Sequence, residues 1–315
     1  MILLDTNVFP RTGRLRNVLM SAVLKVAAHR GIRVGISDIV LEESINARGQ
    51  AVDDATQKLQ EALSQASKLM QLESLYIPDR RHVMDEWRRE LTEAFEVLTT
   101  RGEDALEALR REAARELPAR LGKGARDSAI WLCTLRCAAA LGEAVHFVSD
   151  NREDFADPAN GGSLHPQLMD ECARTGVVVI YHRNLDSLLS SLSSRSNHEP
   201  SIDQFDGPEM GALLNDRLME SEDFRNALSV IDGGGARFFE CRPLAIRRIK
   251  SYVVDGEILV LADLRVCVDV TAFEEPAVSG SYVVPVQAWV VCESEGDVSD
   301  LSVESVGELA LSAAD

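Results

Sequence analysis

Short apolar runs alternating with stretches of helical spacing constrain this chain more than any other feature. Ile2–Leu4 runs into Asp5, IRVGIS ends at Ser37, AVHFV runs into Ser149 and Asp150, and VVVIY ends at Tyr181. Between them lie LRNVLMSAVLKVAAHRG, stopped by Gly31, and a long helical stretch from about Val40 to Glu73. A charged region from Val83 to Arg120 follows YIPDRR. Then come GARDSAIWLCTLRCAAALG, closed by Gly142, and the helices LHPQLMDECARTG and LDSLLSSL. Strands buried on both faces read as continuous apolar runs. Their alternation with helices implies an α/β fold with a parallel sheet covered on both sides.

The texture then changes. SSLSSRSNHEPSIDQFDGPEMG is rich in Ser, Pro, Asn and Asp, the composition of a linker. LLNDRLMESEDFRNALSVID reads as one helix, and Gly233–Gly235 opens a β-rich region. There ARFFECRPLAIRRIKSYVVDGEILVLADLRVCVDVTAF and GSYVVPVQAWVVCES are separated by turn signals such as Asp255-Gly256, which suggests an antiparallel meander. The expected organisation is a first domain over 1–192, a linker over 193–209 and a small β-rich α+β domain over 210–315.

Charge follows the same division. Residues 201–315 hold 8 Lys/Arg against 22 Asp/Glu, net −14, while residues 1–200 hold 25 against 29, net −4. The total of −18 therefore does not exclude a polyanionic substrate for the first domain. An acidic, β-rich second domain fits a protein partner, self-association or docking better than nucleic acid, despite the small cluster Arg247, Arg248 and Lys250. Six cysteines show no CxxC pair, and Cys133 and Cys137 lie one helical turn apart in an apolar segment, as small hydrophobes do. No apolar run reaches the ~20 residues of a membrane span. No basic–apolar–small-residue leader precedes Asp5, so the expected location is the cytoplasm.

Acidic residues recur where apolar elements begin or end. Asp5 ends the first strand, and Glu43 lies in the first turns of the helix after Ser37, beside Glu42. Asp127 opens the helix DSAIWLCTLRCAAAL. Asp150 ends the strand AVHFVSD, with Asn151 and Asp154 close behind. Each carboxylate could singly cap a helix or turn. In a parallel sheet, however, these positions share one edge, where ligands bind. Carboxylates gathered in one cleft raise each other's pKa values unless a cation holds them. Oxygen-only ligands with room for water suit Mg²⁺ or Mn²⁺, which can activate water against a phosphodiester.

The order LLDTNVF, SDIVLEES, GARDSAIW, FVSDNREDF resembles the PIN domain, a metal-dependent ribonuclease fold, over roughly residues 1–192. The resemblance implies a three-layer α/β/α domain and metal binding at Asp5, Glu43, Asp127 and Asp150. Thr6, Asn7, Ser149 and Asn151 match the small polar groups beside the metal. Spacing from Ser37 favours Glu43 over Glu42. Asp154 stands as an alternative to Asp150, or as a supporting or capping group. The implied function is a Mg²⁺/Mn²⁺-dependent endoribonuclease acting on RNA, toxin-like in its first domain. Single-stranded DNA, or a silent PIN-like scaffold, is the alternative. Unlike compact toxin-type members, the chain carries a helical insertion over about 50–122 and the second domain.

Residues 80–126 contain 11 basic and 10 acidic residues, which fits a solvated helical surface. Lys123 and Arg126 in GKGARD, beside Asp127, are the expected phosphate contacts. A phosphatase of the aspartyl-phosphate type would place a second aspartate two positions after the first, where this chain has Asn7.

Overall fold

A computed structural model describes residues 1–11, 13, 15, 17–70, 77, 79–205, 208–221, 223–226, 228, 236–272, 279–293, 297–308 and 310–311. Gly233–Gly235 and part of the segment joining the long helix to YIPDRR fall outside the described residues.

In chain order the first elements are β1 (Ile2–Leu4), α1 (Val18–His29), β2 (Val34–Ser37), α2 (Asp38–Ala66), α3 (Arg80–Ala94), β3 (Glu96–Leu98) and α4 (Gly102–Ala114). They are followed by α5 (Ala125–Leu141), β4 (Val145–Val148), α6 (Arg152–Phe155), α7 (Pro166–Thr175), β5 (Val179–His182) and α8 (Leu185–Leu192). The five strands form a parallel sheet in the order β3-β2-β1-β4-β5. Every strand the apolar runs predict is present. β3 is an addition: EVL lies inside the charged region, too short to show a period against its helical surroundings. β3 pairs along the edge of β2.

The strand order reverses direction of growth at β1, with β2 on one side and β4 on the other. At such a switch point, the loops leaving the two central strands diverge and open a crevice at their carboxyl ends. Ile2, Leu4, Ile36, Val145, Phe147 and Val148 are buried in the sheet. Trp131 and Phe155 pack their rings near Phe147, with centroids 6.1 Å and 5.0 Å from it. This aromatic cluster holds α5 and α6 against β4, so the loop after β4 starts from a rigid base.

The remaining elements are β6 (Ser194–Arg195), α9 (Pro208–Glu220), β7 (Ala236–Val254), β8 (Glu257–Ala272), β9 (Ser279–Cys292), β10 (Val298–Val306) and β11 (Ala310–Leu311). They build an antiparallel sheet in the order β10-β9-β8-β7-β6, with β11 added on β9. Asp255 and Gly256 turn β7 into β8 with φ of 50° and 84°, the left-handed pair that a tight two-residue hairpin needs. Leu214 and Leu218 of α9 pack into a core with Val260, Val266, Val284 and Val290. α9 is shorter than the single helix the spacing predicts. It ends at Glu220, and the Ser221 hydroxyl accepts from the Phe224 amide at 3.4 Å, which caps a new turn.

Chain packing separates two units. One comprises Met1–Leu15 with Arg30–Leu188, the other Arg16–His29 with Leu189–Asp315. α1 therefore packs with the antiparallel sheet. Lys25 pairs with Glu257 at 2.6 Å and His29 with Asp255 at 3.7 Å. No helix among the described residues is long and apolar enough to cross a membrane.

Candidate active site

Asp5 is the residue at which β1 leaves the sheet. Its amide still donates to the Val148 carbonyl at 2.9 Å, so the backbone stays paired with β4 up to this point. The side chain is buried, 3% exposed. Oδ1 accepts from the Thr6 amide at 2.7 Å and so caps the single 3-10 turn Thr6–Val8. Oδ2 accepts from the Ser149 hydroxyl at 2.5 Å and from Asn7 Nδ2 at 3.0 Å. The cap that the sequence allows and the buried acid in a cleft are one residue in two roles.

Asn7 and Ser149 tie the two central loops together. Asn7 Nδ2 also donates to Ser149 Oγ at 3.2 Å, and Asn7 Oδ1 accepts from the Asp150 amide at 3.0 Å. Ser149 Oγ accepts from the Asn151 amide at 3.1 Å. From the next strand, the Tyr181 hydroxyl donates to the Ser149 carbonyl at 2.7 Å. Tyr181 has no counterpart among the residues the motifs single out. Its signal is positional: it sits near the end of the strand beside β4.

Glu43 approaches from α2, whose start is set by Ser37 accepting from the Val40 amide at 3.2 Å. Glu43 Oε2 accepts from the Thr6 hydroxyl at 2.6 Å, and Oε1 lies 2.5 Å from Arg126 Nη1. Adjacent residues on a helix point about 100° apart. Glu42 accordingly faces α3, where Arg88 grips it with two donors at 2.7 Å and 3.0 Å.

Asp127 sits in the first turn of α5, and the backbone before it explains its position. Gly124, the N-cap, has φ of 108°, which favours glycine. A Cβ there would lie 3.2 Å from Asp127 Oδ2 and 3.4 Å from Ala119 Cα. Asn151 bridges two acids: its Nδ2 donates to Asp154 Oδ2 at 2.9 Å and reaches Asp127 Oδ1 at 3.4 Å. Asp150 turns away. Its side chain is 56% exposed and pairs at the rim with Arg152 at 3.3 Å and Arg183 at 3.8 Å. The structure thus gathers Asp5, Glu43, Asp127 and Asp154 from four elements and leaves Asp150 outside.

Electrostatics record this convergence. Burial pushes the Asp5 carboxyl up to about 6; Asp127 and Glu43 add to the rise, while Ser149 and the Thr6 amide oppose it. Burial likewise pushes Asp127 up to about 6, reinforced by Asp154 and Glu43 and opposed by Asn151 and Arg126. Asp154 is raised by burial, against the pull of Asn151, Arg120 and Lys123. Of the two expected phosphate contacts, Lys123 is exposed, while Arg126 is engaged with Glu43 although 74% of its side chain faces solvent.

The cleft has a volume of about 500 Å³ and is lined by Asp5, Thr6, Asn7, Glu43, Arg126 and Asp127, among others. Among the described residues, no group of three His, Cys, Asp or Glu side chains is placed to hold an ion directly. Glu43 faces Thr6 and Arg126, and Asp154 faces Asn151. The donors are nevertheless oxygens and amides throughout, without thiol or imidazole. That chemistry fits a hard cation held by one or two carboxylates with water completing its shell.

Comparisons agree with the geometry. The pattern of a family described as PIN domain matches residues 2–155, from β1 to the end of α6. The comparison with curated proteins returns no match, and neither does that with solved structures. Residues 2–155 of this chain belong to the PIN-domain family, a fold that generally carries nuclease activity and generally uses divalent metals.

Proposed function

We propose that the chain is a Mg²⁺/Mn²⁺-dependent endoribonuclease that hydrolyses RNA phosphodiesters. The observation that carries this function is the convergence of Asp5, Glu43, Asp127 and Asp154 from four separate elements at the crevice between β1 and β4. Asp5 and Asp127 would hold the cation, with Glu43 and Asp154 as the neighbouring acids. In this assignment Asp154 takes the fourth acidic position and Asp150 belongs to the rim.

A bound divalent cation would supply an activated water and charge neutralisation at the scissile phosphate. The chain's own groups do the rest. Ser149 and Asn7 hold the Asp5 carboxylate by donating to Oδ2, which fixes its orientation. The Thr6 hydroxyl holds Glu43, and Asn151 spaces Asp127 from Asp154. Arg126 and Lys123 stand where an incoming phosphate passes toward the acids, and Arg126 exchanges Glu43 for the phosphate.

The test is cleavage of a labelled single-stranded RNA with Mn²⁺, Mg²⁺ or EDTA, with single-stranded DNA in parallel. Metal-dependent cutting abolished in Asp5→Asn is the expected result. Asp154→Asn should lose activity at least a hundredfold, while Asp150→Asn stays within about threefold of wild type. Cutting of neither nucleic acid with either metal would refute the nuclease and favour a scaffold. Equal loss in both variants would return Asp150 to the site.

A further inference from the structure

Beside the acidic crevice, α4 and α7 flank a second cleft of about 1170 Å³. Its floor is an ion pair, Arg111 with Glu171, in which Arg111 also donates to the Leu117 carbonyl at 3.2 Å and Trp131 Nε1 to Glu171 at 2.8 Å. Glu107 stands 3.5 Å from Arg111 as well. The floor therefore sums to one negative charge, Arg111 against Glu107 and Glu171, and its three charged groups are paired. The walls are not: Arg115, Arg120 and Arg174 are exposed and form no ion pair among the described residues. Glu116 and Asp170 also line the cleft, so its four arginines and four acids balance, and the wall arginines are distinguished by lacking an ion-pair partner among the described residues.

Arg115 carries the most specific signal. It ends α4 in the left-handed conformation, φ 56°, a position that glycine fills at less cost. Among the described residues it shares positive φ without being glycine only with Asp255 of the β7–β8 turn. Its guanidinium lies beside the loop that leads to Asp127: a Cβ on Gly122 would be 3.6 Å from Arg115 Nε. Arg120 links the two clefts. It lines the second one and is near enough to Asp154 for its charge to act there. Arg115, Arg120, Lys123 and Arg126 thus form a basic series along the segment that runs from the second cleft to Glu43.

We infer that the α4–α7 cleft is a subsite for the backbone phosphates of a single-stranded RNA whose scissile bond lies at the acidic crevice. This builds on the nuclease function proposed above. The cleft exceeds the ~300–1,000 Å³ of ordinary small-ligand pockets, as a strand of several nucleotides requires. Guanidinium groups bind phosphate bidentately and without dependence on base identity, so the subsite contributes affinity and direction rather than sequence choice.

The experiment compares the full-length chain with an Arg115→Gly/Arg120→Ala/Arg174→Ala variant. Glycine preserves the left-handed cap, so the change at Arg115 does not threaten folding. Binding of a short 5′-labelled single-stranded RNA is followed by fluorescence anisotropy in EDTA over a salt series. The slope of log K against log salt should fall by about 2, since each phosphate contact contributes about 0.7 for a single strand. Hydrolysis of bis(p-nitrophenyl) phosphate with Mn²⁺, too small to span both clefts, should be unchanged in an Arg115→Gly/Arg174→Ala variant, which keeps Arg120 near Asp154. An unchanged slope and affinity overturn the subsite whatever the nuclease does, and so does a wild type that binds no RNA. If the slope falls but neither RNA nor the small diester is hydrolysed by wild type, the subsite stands and the nuclease proposal falls.

Discussion

Replacing Asp5 with asparagine should stabilise the metal-free protein while abolishing the proposed activity. Burial, with Asp127 and Glu43 nearby, lifts the Asp5 carboxyl from 3.8 to about 6. That gap corresponds to about 3 kcal/mol, in order of magnitude, between the protonated and ionised forms in the fold. The sign follows from its being raised. The folded state holds the proton more tightly than the unfolded chain does. The associated stability is therefore full below pH 3.8 and lost as pH rises through about 6. At pH 8 the wild type bears the whole cost. Asparagine removes the charge, and its Oδ1 can still accept from the Thr6 amide. Its Nδ2, however, meets the Asn7 amide group and forces the Ser149 hydroxyl to turn, a loss of about 1 kcal/mol. The net gain is about 1–2 kcal/mol, or about 3–6 °C for a unit of this size. Thermal unfolding in EDTA at pH 8 reads it directly, and the gain should vanish near pH 4. With saturating Mn²⁺ the order should invert, because only the wild type gains stability by binding. A variant less stable than wild type at pH 8 in EDTA would refute the electrostatic account of the crevice.

Gly35→Ala should destabilise the parallel sheet by about 1–3 kcal/mol, seen as a lower urea midpoint. The new Cβ would lie 2.6 Å from Met1 Cε, which can move, and 2.9 Å from the Glu96 carbonyl on β3, which cannot. Glu171→Gln should cost about 1–3 kcal/mol, because it strips the bidentate charge partner from a nearly buried Arg111 and leaves it only Glu107 at 3.5 Å. Trp131 fluorescence should shift with it, since the indole donates to the same carboxylate. His182 should titrate near 4 by NMR: burial, and then the neighbouring His146 at 2.8 Å, oppose its charge. A depressed histidine holds its stability above pH 6.5 and loses it as pH falls through about 4, and a titration midpoint near 6.5 would contradict the buried geometry.

Much of the sheet was legible because parallel strands, buried on both faces, leave uninterrupted apolar runs, as ILL and VHFV do. β3 was illegible for the converse reason: three residues at an edge leave no pattern among charged helices. At the crevice, helix phase says only that Glu42 and Glu43 face different directions; Glu43 is favoured in the sequence by its spacing from Ser37 and the family resemblance, and in the fold it accepts from the Thr6 hydroxyl. Between Asp150 and Asp154 the sequence favours Asp150, the acid that directly follows the strand, and nothing in SDNRED marks the short helix α6 that carries Asp154. Which acid turns inward depends on Asn7 accepting from the Asp150 amide and on Arg152 and Arg183 at the rim. Those partners are distant in sequence or chemically ordinary. The apolar face of LRNVLMSAVLKVAAHRG likewise carries no mark of the sheet it will cover.

The pairing of α1 with the antiparallel sheet bears on how the chain is made. α1 is complete at His29, whereas β7 begins at Ala236. At a synthesis rate of about 5–20 residues per second, β7 follows roughly 10–40 seconds later. A helix of 12 residues is marginal by itself in water, so for that interval α1 has no sheet to hold it. The parallel sheet can close meanwhile, but residues 16–29 remain a loop hanging from it until the last strands emerge. Folding of the second unit is therefore not strictly vectorial: its earliest piece waits for its latest, and a chaperone that shields Val18, Leu19 and Val23 has a defined window in which to act.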